Sequence, residues 1–416
     1  MEEYILENNL KLIYKHSNSE LTSICISIDA GAGVEYGNKK IGIAHIVEHM
    51  IYKGTKNRSE LEINESLSNI FGFQNAMTNY SYVIYYGTLL GADFRNGTEI
   101  FSDIIMNPIF TDDKFKEEMN VIKEELNEWD EELEQYCEDQ MFINSFEERR
   151  IKYPIIGTAE SLDSITLSDI KKFYEEHYFP ENTSIVVISS LEFTEVKNIV
   201  EEYLGIWKNE NSNELNKDIQ LHSKDIEIQY EIPKINVFSN KKDSIKTCKV
   251  EIICSIDQLN ENEMKALRIF NQYFGEGVNS ILYDTLRTKN GLIYDVITTI
   301  AHENYIKLYK ITFSTCKENV RKTLDLVDEC IEKIDLLKNI INDNMFNQLV
   351  KNLKLKRLFR EEQKIILAKE LATYDTMFGD YNLYINEVNN LEQLDKNDIC
   401  ETGKQVLKNL TIQIIY

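Results

Sequence analysis

A residue pattern that begins twice constrains this chain more than any other feature. The run Lys249–Asp257 (KVEIICSID) repeats the character of Leu21–Asp29 (LTSICISID), in which apolar and polar residues alternate as they do in a strand. A helical stretch follows both runs, and later VRKTLDLVDECIEKI resembles TEIFSDIIMNPIF. A repeat of this length usually reflects a repeated structural unit of the fold. The sequence therefore predicts an ancient duplication that produced two homologous domains.

The best candidate for a domain linker lies between Ile206 and Ile232. Its residues (WKNENSNELNKDIQLHSKD and neighbours) are polar and rich in Asn, Lys and Glu, a composition that joins domains rather than filling a core. A chain of 416 residues also exceeds one ordinary domain. We predict an N-terminal domain at 1–205, a linker at 206–232 and a C-terminal domain at 233–416.

The segment Gly42–Thr55 (GIAHIVEHMIYKGT) contains the candidate functional site. If it is helical, His45 and His49 lie one turn apart with both imidazoles on one face, which is how a helix binds one metal ion with two side chains. Glu48 lies beside them, placed to accept a proton from an attacking water. Short patterns of this kind also occur by chance, and a histidine on a helix is more often a surface or core residue. The chain has only six histidines, however, and two of them fall here.

The second half of the repeat lacks this set. When the two halves are laid alongside, Arg268, Asn271 and Gln272 fall opposite the three motif residues and cannot form the same site. We therefore predict one metal-bearing domain and one without a metal.

A third ligand is expected from a long acidic helix predicted from Thr111 to about Phe142. Glu118 and Glu125 are seven residues apart and border its apolar stripe, whereas Glu124 is flanked by polar residues and should face solvent. An acidic residue in such a helix is normally solvated, and only the pairing with the histidine motif favours a ligand. Glu125 is then the better ligand, with Glu118 supporting a histidine from behind.

The bulk composition excludes some functions. The net charge of −24 argues against nucleic-acid binding and favours cationic partners such as basic peptides, although acidic side chains often only solvate a surface. No apolar run approaches the roughly 18 residues of a membrane span. The seven cysteines show no zinc-ribbon or redox spacing, and the N-terminus reads as a strand rather than a leader. We expect a cytoplasmic protein with reduced thiols.

Further segments carry a resemblance to a known family. With the His-x-x-Glu-His motif, the segments FQNAMTNYSYVIYY, HYFPENTSIVVISSL and LRTKNGLIYDV resemble those of the pitrilysin/insulinase (inverzincin) zinc metallopeptidases, in the small bacterial two-domain branch akin to mitochondrial processing peptidase. Two departures stand out: the usual Asn-Gly near the N-terminus is Asn8-Asn9, and the usual entry to the second domain is replaced by NKKDSIKTCKV. The second departure leaves substrate contacts in that half open.

The resemblance implies a fold and a set of site residues. The fold is α+β, with two homologous domains that form a half-shell, each an antiparallel-rich sheet packed with helices on one side. The family's third ligand falls on Glu125 and its auxiliary glutamate on Glu118. Its substrate-pairing edge strand gives Asn75 and Ala76 as substrate contacts, and its second-half motif gives Arg287 and Tyr294 as catalytic residues.

The resemblance also implies a function. It indicates a Zn²⁺-dependent endopeptidase that cleaves short or unfolded peptides inside a closed dimeric chamber, with Glu48 as general base and with Arg287 and Tyr294 supplied by the partner copy. Both motifs occur in this chain, so a homodimer is sufficient, and a heterodimer with a related subunit is the alternative. A non-catalytic scaffold or peptide-binding subunit is the competing function, against which the intact motif counts.

Overall fold

The structure is a computed structural model that describes residues 1–35, 40–209, 231–243 and 245–416. Contacts between residues divide it into two compact units, neither of which is continuous in sequence. The first unit comprises the described parts of Met1–Glu128, Tyr153–Gln229 and Arg360–Tyr384. The second unit comprises the described parts of Trp129–Lys152, Tyr230–Phe359 and Ile385–Tyr416.

Each unit is built on one sheet. The strands of the first sheet are β1 Glu2–Ile5, β2 Lys11–His16, β3 Leu21–Ile28, β4 Phe71–Thr78, β5 Val83–Leu90 and β6 Thr183–Ser189. Those of the second are β7 Val237–Asn240, β8 Cys248–Ser255, β9 Ile293–His302, β10 Lys307–Thr315 and β11 Thr411–Ile415.

The two sheets share one strand order. The first runs β1-β2-β6-β3-β5-β4 and the second β7-β11-β8-β10-β9, so the second repeats the first without β1. In each sheet one pair is parallel, β2 with β6 and β7 with β11, and the other pairs are antiparallel. The predicted α+β class, with two similar antiparallel-rich domains, is confirmed.

Helices connect and cover these sheets. In chain order they are α1 Ile43–Met50, α2 Glu60–Ile70, α3 Phe94–Met106, α4 Asp112–Glu131, α5 Leu133–Ser145, α6 Ala159–Ser164, α7 Leu167–His177, α8 Phe193–Leu204, α9 Glu261–Phe274, α10 Ile281–Tyr283, α11 Val320–Glu332, α12 Ile334–Ile340, α13 Asp343–Glu361, α14 Lys364–Phe378, α15 Asn382–Asn386 and α16 Lys396–Val406. A π-helical turn, Asp284–Lys289, continues α10. No helix among the described residues has the length and apolar character needed to cross a membrane.

The long acidic helix is two helices, so its prediction as one is wrong. The backbone becomes extended at Glu132, where α4 ends and α5 begins. The break lets α5 lie on the second sheet, where Glu134 pairs with Lys249 and Glu138 with Lys310. The sequence has no Pro or Gly at the break, so no local residue signals it. The ion pairs of α5 with the second sheet are tertiary contacts.

Helix α14 comes from the other end of the chain and packs on the first sheet, against β3, β5 and β6. Its Asp375 accepts hydrogen bonds from Lys11 Nζ at 2.7 Å and from Ser184 Oγ at 2.5 Å. The predicted domains 1–205 and 233–416 are continuous segments, so they place α5 in the N-terminal domain and α14 in the C-terminal domain. In the structure α5 belongs to the second unit and α14 to the first. The linker at 206–232 stays a prediction, because residues 210–230 lie outside the described residues.

Candidate metal centre

Helix α1 is fixed at its start by a buried carboxylate. The chain enters through Gly42 in the left-handed region, at φ 95°, and the backbone N–H groups of Gly42 and Ala44 donate to Glu35 at 3.0 and 2.9 Å. An acidic group satisfies the free N–H groups of a helix N-terminus and complements its dipole. Glu35 was not predicted from the sequence, because it lies seven residues before Gly42 and forms no local capping pattern with the helix.

The predicted ligands come together on the first unit. The His45 and His49 rings are 4.5 Å apart between centroids, with side chains 12% and 23% exposed. Glu125 of α4 faces both rings, with Oε1 3.7 Å from His45 Nε2 and Oε2 3.6 Å from His49 Nε2. One possible ligand atom from each of the three residues lies within 4.8 Å of the others.

This donor set fits a zinc ion. Zinc holds nitrogen and oxygen ligands at about 2.0–2.2 Å in a tetrahedron, which places neighbouring ligand atoms roughly 3.3–3.6 Å apart. The observed separations of 3.6 and 3.7 Å are close to that range. His49 Nδ1 donates to Glu118 Oε1 at 2.8 Å, so the lone pair of Nε2 is directed toward Glu125. Two imidazoles and one carboxylate form a typical catalytic zinc set.

The charge states of the ligands follow from their surroundings. Burial, together with the neighbouring His49, lowers the pKa of His45 to about 3, so its imidazole is neutral and free to bind a metal. Burial alone would also lower the pKa of His49, but the Glu118 hydrogen bond and nearby carboxylates raise it overall. Burial raises the pKa of Glu125 above that of an exposed glutamate.

Glu48 lies on the same helix, with its carboxylate buried beside the ligands. Its Oε2 accepts a hydrogen bond from Thr78 Oγ1 at 2.6 Å. Burial raises the pKa of Glu48, and the Thr78 hydrogen bond partly opposes that shift by favouring the charged form. Thr78 was not singled out from the sequence, although it is the threonine of the Asn-Ala-x-Thr segment that gave Asn75 and Ala76.

Glu118 lies behind His49, and its supporting role stays a prediction. Its side chain is 4% exposed, and Oε2 is 2.6 Å from Lys53 Nζ. Burial would raise its pKa, but the contacts with His49 and Lys53 lower it overall. Lys53 was not predicted either, although its position inside the motif segment Gly42–Thr55 could have pointed to it.

Asn75 and Ala76 lie on β4, at the edge of the first sheet. They pair with Tyr86 and Tyr85 of β5 on one side, and no described strand pairs with β4 on the other. Asn75 is exposed and Ala76 half-buried. An edge strand of this kind can accept an added strand, so their substrate role stays a prediction.

Arg287 and Tyr294 lie together in the second unit. Arg287 belongs to the π-helical turn, and Tyr294 of β9 is 81% exposed. The Arg287 guanidinium carbon lies 4.6 Å from the centroid of the Tyr294 ring and 5.1 Å from that of Tyr283, whose hydroxyl accepts from Arg287 Nη1. Tyr283, which sequence analysis missed, holds the guanidinium from behind. The catalytic role of the pair stays a prediction.

The second unit has fixed cations near the residues that fall opposite the motif. Arg268 of α9 pairs with Glu387, and Lys356 of α13 lies 2.8 Å from both Gln272 and Glu276. These carboxylates, Glu387 and Glu276, are therefore paired with basic side chains. That this half has no metal site stays a prediction.

Sequence comparisons identify both halves. Residues 11–159 match the family model described as "Insulinase (Peptidase family M16)", and residues 164–353 match "Peptidase M16 inactive domain". An uncharacterized zinc protease of Rickettsia felis is 23% identical over 99% of this chain and 96% of its own length. The mitochondrial-processing peptidase subunit beta of Rattus norvegicus is 30% identical over 42% of this chain and 35% of its own length.

Solved structures show the same fold. A protease from Helicobacter pylori superposes with a TM-score of 0.85 at 19% identity, covering all of this chain and 98% of its own. A peptidase M16 inactive domain from Pseudomonas fluorescens superposes with a TM-score of 0.83 at 15% identity, covering all of this chain and 97% of its own. With both family models matched in order along one chain, the protein belongs to the insulinase family of peptidases, M16, in its small two-domain branch.

Proposed function

We propose that this protein is a zinc-dependent endopeptidase with His45, His49 and Glu125 as metal ligands. The observation that carries the proposal is the approach of one carboxylate to two imidazole Nε2 atoms, at 3.6 and 3.7 Å. Relatives named as zinc proteases support the same metal. A bound zinc ion supplies Lewis acidity, which polarises a carbonyl and makes water a nucleophile near neutral pH.

The remaining chemistry belongs to the side chains. Glu48 accepts the proton of the attacking water and passes it to the departing amine, a general base and then a general acid. Its raised pKa brings it closer to the working pH that such a group needs. Tyr294 donates a hydrogen bond to the developing oxyanion, and Arg287 binds substrate carbonyl oxygens. The backbone at Asn75 and Ala76 pairs with the peptide as an added strand.

The chain acts as a homodimer in this proposal. The zinc motif and the Arg287–Tyr294 pair occur in one sequence, so two copies supply a complete set, each giving one motif to a shared site. The pairing encloses a chamber that admits short or unfolded peptides and excludes folded proteins. A heterodimer is the alternative, favoured by relatives that are named as a subunit of mitochondrial processing peptidase.

Substrate and compartment follow from charge and cysteine chemistry. A net charge of −24 favours basic peptides over acidic ones. All seven cysteines are free thiols, six of them buried, which suits the reducing cytoplasm.

A non-catalytic scaffold is the second candidate. It is favoured by the family description "inactive domain" over 164–353. The motif residues lie in the part of the chain that matches the other family model, at 11–159, and they are intact. A peptidase is therefore the better proposal.

Substitution of Glu48 by Gln tests the function. We expect the E48Q variant to bind zinc at wild-type stoichiometry and to lose at least about 10²–10⁴-fold in peptide turnover, because general acid–base catalysis is worth that much. Zinc content is measured by metal analysis, and cleavage by mass spectrometry of an unbiased peptide mixture with and without chelator.

The matched control is E124Q, at an exposed glutamate of α4 next to the ligand. It should retain both zinc and turnover. Wild-type turnover in E48Q would remove Glu48 from its role. A wild-type protein that holds zinc but cleaves no peptide would favour the scaffold.

A further inference from the structure

A chain of alternating charges leads from the surface of the first unit to the metal ligands. Lys114 Nζ lies 2.8 Å from Glu60 Oε2, and Glu60 Oε1 lies 3.0 Å from Lys53 Nζ. Lys53 Nζ is 2.6 Å from Glu118 Oε2, and Glu118 Oε1 accepts from His49 Nδ1 at 2.8 Å. The five residues come from α1, α2, α4 and the 3₁₀ turn that follows α1, so the chain joins separate elements.

Glu118 depends on Lys53 for its charge balance. The carboxylate is almost fully buried, with one oxygen on His49 and the other beside the Lys53 ammonium. A buried carboxylate that loses its countercharge is strongly destabilised. Without Lys53, Glu118 would gain by turning toward solvent and leaving His49 Nδ1 without its acceptor. The orientation and tautomer of the His49 ring would then no longer be fixed.

Lys53 is itself held in place. It ends the 3₁₀ turn Ile51–Lys53, and Gly54 follows with a φ of 132°, which favours glycine. Its side chain is 18% exposed, and its ammonium lies between the carboxylates of Glu60 and Glu118. A flexible lysine fixed between two carboxylates acts as a rigid cation in this position.

We propose that Lys53, clamped by Glu60, is a positioning residue of the metal centre. It holds Glu118 against His49 Nδ1 and thereby keeps the Nε2 lone pair directed toward the metal position. It also supplies the positive charge that, with a divalent ion, balances the carboxylates of Glu48, Glu118 and Glu125. The inference rests on the proposed zinc site and adds a residue to it.

The test compares zinc affinity in K53M, which keeps the length of the side chain and removes its charge, with K53R, which keeps the charge. Zinc dissociation constants are measured by competition with a chromophoric chelator, and melting temperatures are measured on the metal-free proteins. We expect K53M to bind zinc about 10–100-fold more weakly, as for other residues that support a metal ligand, and K53R to recover most of the loss.

The control is K265M in the second unit. Lys265 is a similarly covered lysine, 12% exposed, paired with Glu261 at 2.8 Å and remote in sequence from the motif. It should bind zinc like the wild type. If K53M does not fold, E60Q releases the clamp from its half-exposed end and should weaken zinc binding several-fold, in the same direction.

Unchanged zinc affinity in K53M, with or without a lower melting temperature, would overturn the inference and leave Lys53 a structural residue. That result is distinct from failure of the proposed function. If the proposed function failed, the wild-type protein would itself bind no zinc or, with zinc bound, cleave no peptide.

Discussion

At the residue scale, Glu48 acquires its chemistry from a neighbour that is distant in sequence. Thr78, thirty residues later, donates the hydrogen bond at 2.6 Å that favours the charged carboxylate in a buried place. Burial and this hydrogen bond act in opposite directions on the pKa of Glu48, and burial prevails. The balance keeps the carboxylate able both to accept and to release a proton.

Removal of the Thr78 hydroxyl should shift the pH dependence of kcat/KM to higher pH. In T78V the charged form of Glu48 loses a hydrogen bond, so the pKa of Glu48 rises further and the base becomes active only at higher pH. We expect the acidic limb of kcat/KM to shift upward by about one pH unit, measured on a single fluorogenic peptide. The T78S variant keeps the hydroxyl and should restore the profile. A T78V limb at the wild-type position would contradict the role assigned to Thr78.

At the element scale, two helices are exchanged between the halves of the chain. α5 comes from the N-terminal half and lies on the second sheet, and α14 comes from the C-terminal half and lies on the first. Each is the second of two consecutive helices, after α4 or α13. The exchange leaves neither half of the sequence with a complete set of its own packing partners.

Division of the chain tests that exchange. Fragment 1–209 lacks α14, so β3 and β6 lose their cover. Fragment 231–416 lacks α5, so Lys249 loses Glu134 and Lys310 loses Glu138. We expect each fragment alone to aggregate or to lose near-UV circular dichroism, and co-expressed fragments to purify together with a native spectrum. A soluble fragment 1–209 with a native spectrum would show that α14 is dispensable.

At the scale of the whole molecule, the chain carries two kinds of half. One half gathers imidazoles and carboxylates around a candidate metal position, and the other pairs its carboxylates with Arg268 and Lys356 and presents Arg287 and Tyr294. Because the two motifs lie on different halves, two copies can combine the zinc motif of one with the Arg287–Tyr294 pair of the other. This is the basis of the proposed homodimer.

Mixing of two inactive variants tests whether the two copies of a dimer share their active sites. E48Q and Y294F should each have low turnover, the second with zinc content unaltered. In a random mixture half of the dimers are mixed and each has one intact shared site, so activity should recover to at most about one quarter of wild type. E48Q mixed with E48Q serves as the control. No recovery after verified subunit exchange would indicate sites built within one chain or with a different partner.

Much of the fold could be predicted from short segments of the sequence. The i, i+4 histidines, the intervening Glu48 and the alternating strands are patterns of near neighbours. The structure brings His45, His49 and Glu125 together, with Glu118 beside His49. Their functional roles stay predictions. Glu35, Thr78, Lys53 and Tyr283 escaped, because each acts through a hydrogen bond or ion pair to a group on another turn, helix or strand.

The family, the two-sheet α+β class and the paired histidines could be inferred without a structure, since periodicity and motif spacing depend on residues close together in the chain. Tertiary structure alone decided the break at Glu132, the exchange of α5 and α14, and the charge chain through Lys53. Those features are stabilised by contacts between residues up to several hundred positions apart, and no local pattern in the chain encodes such contacts.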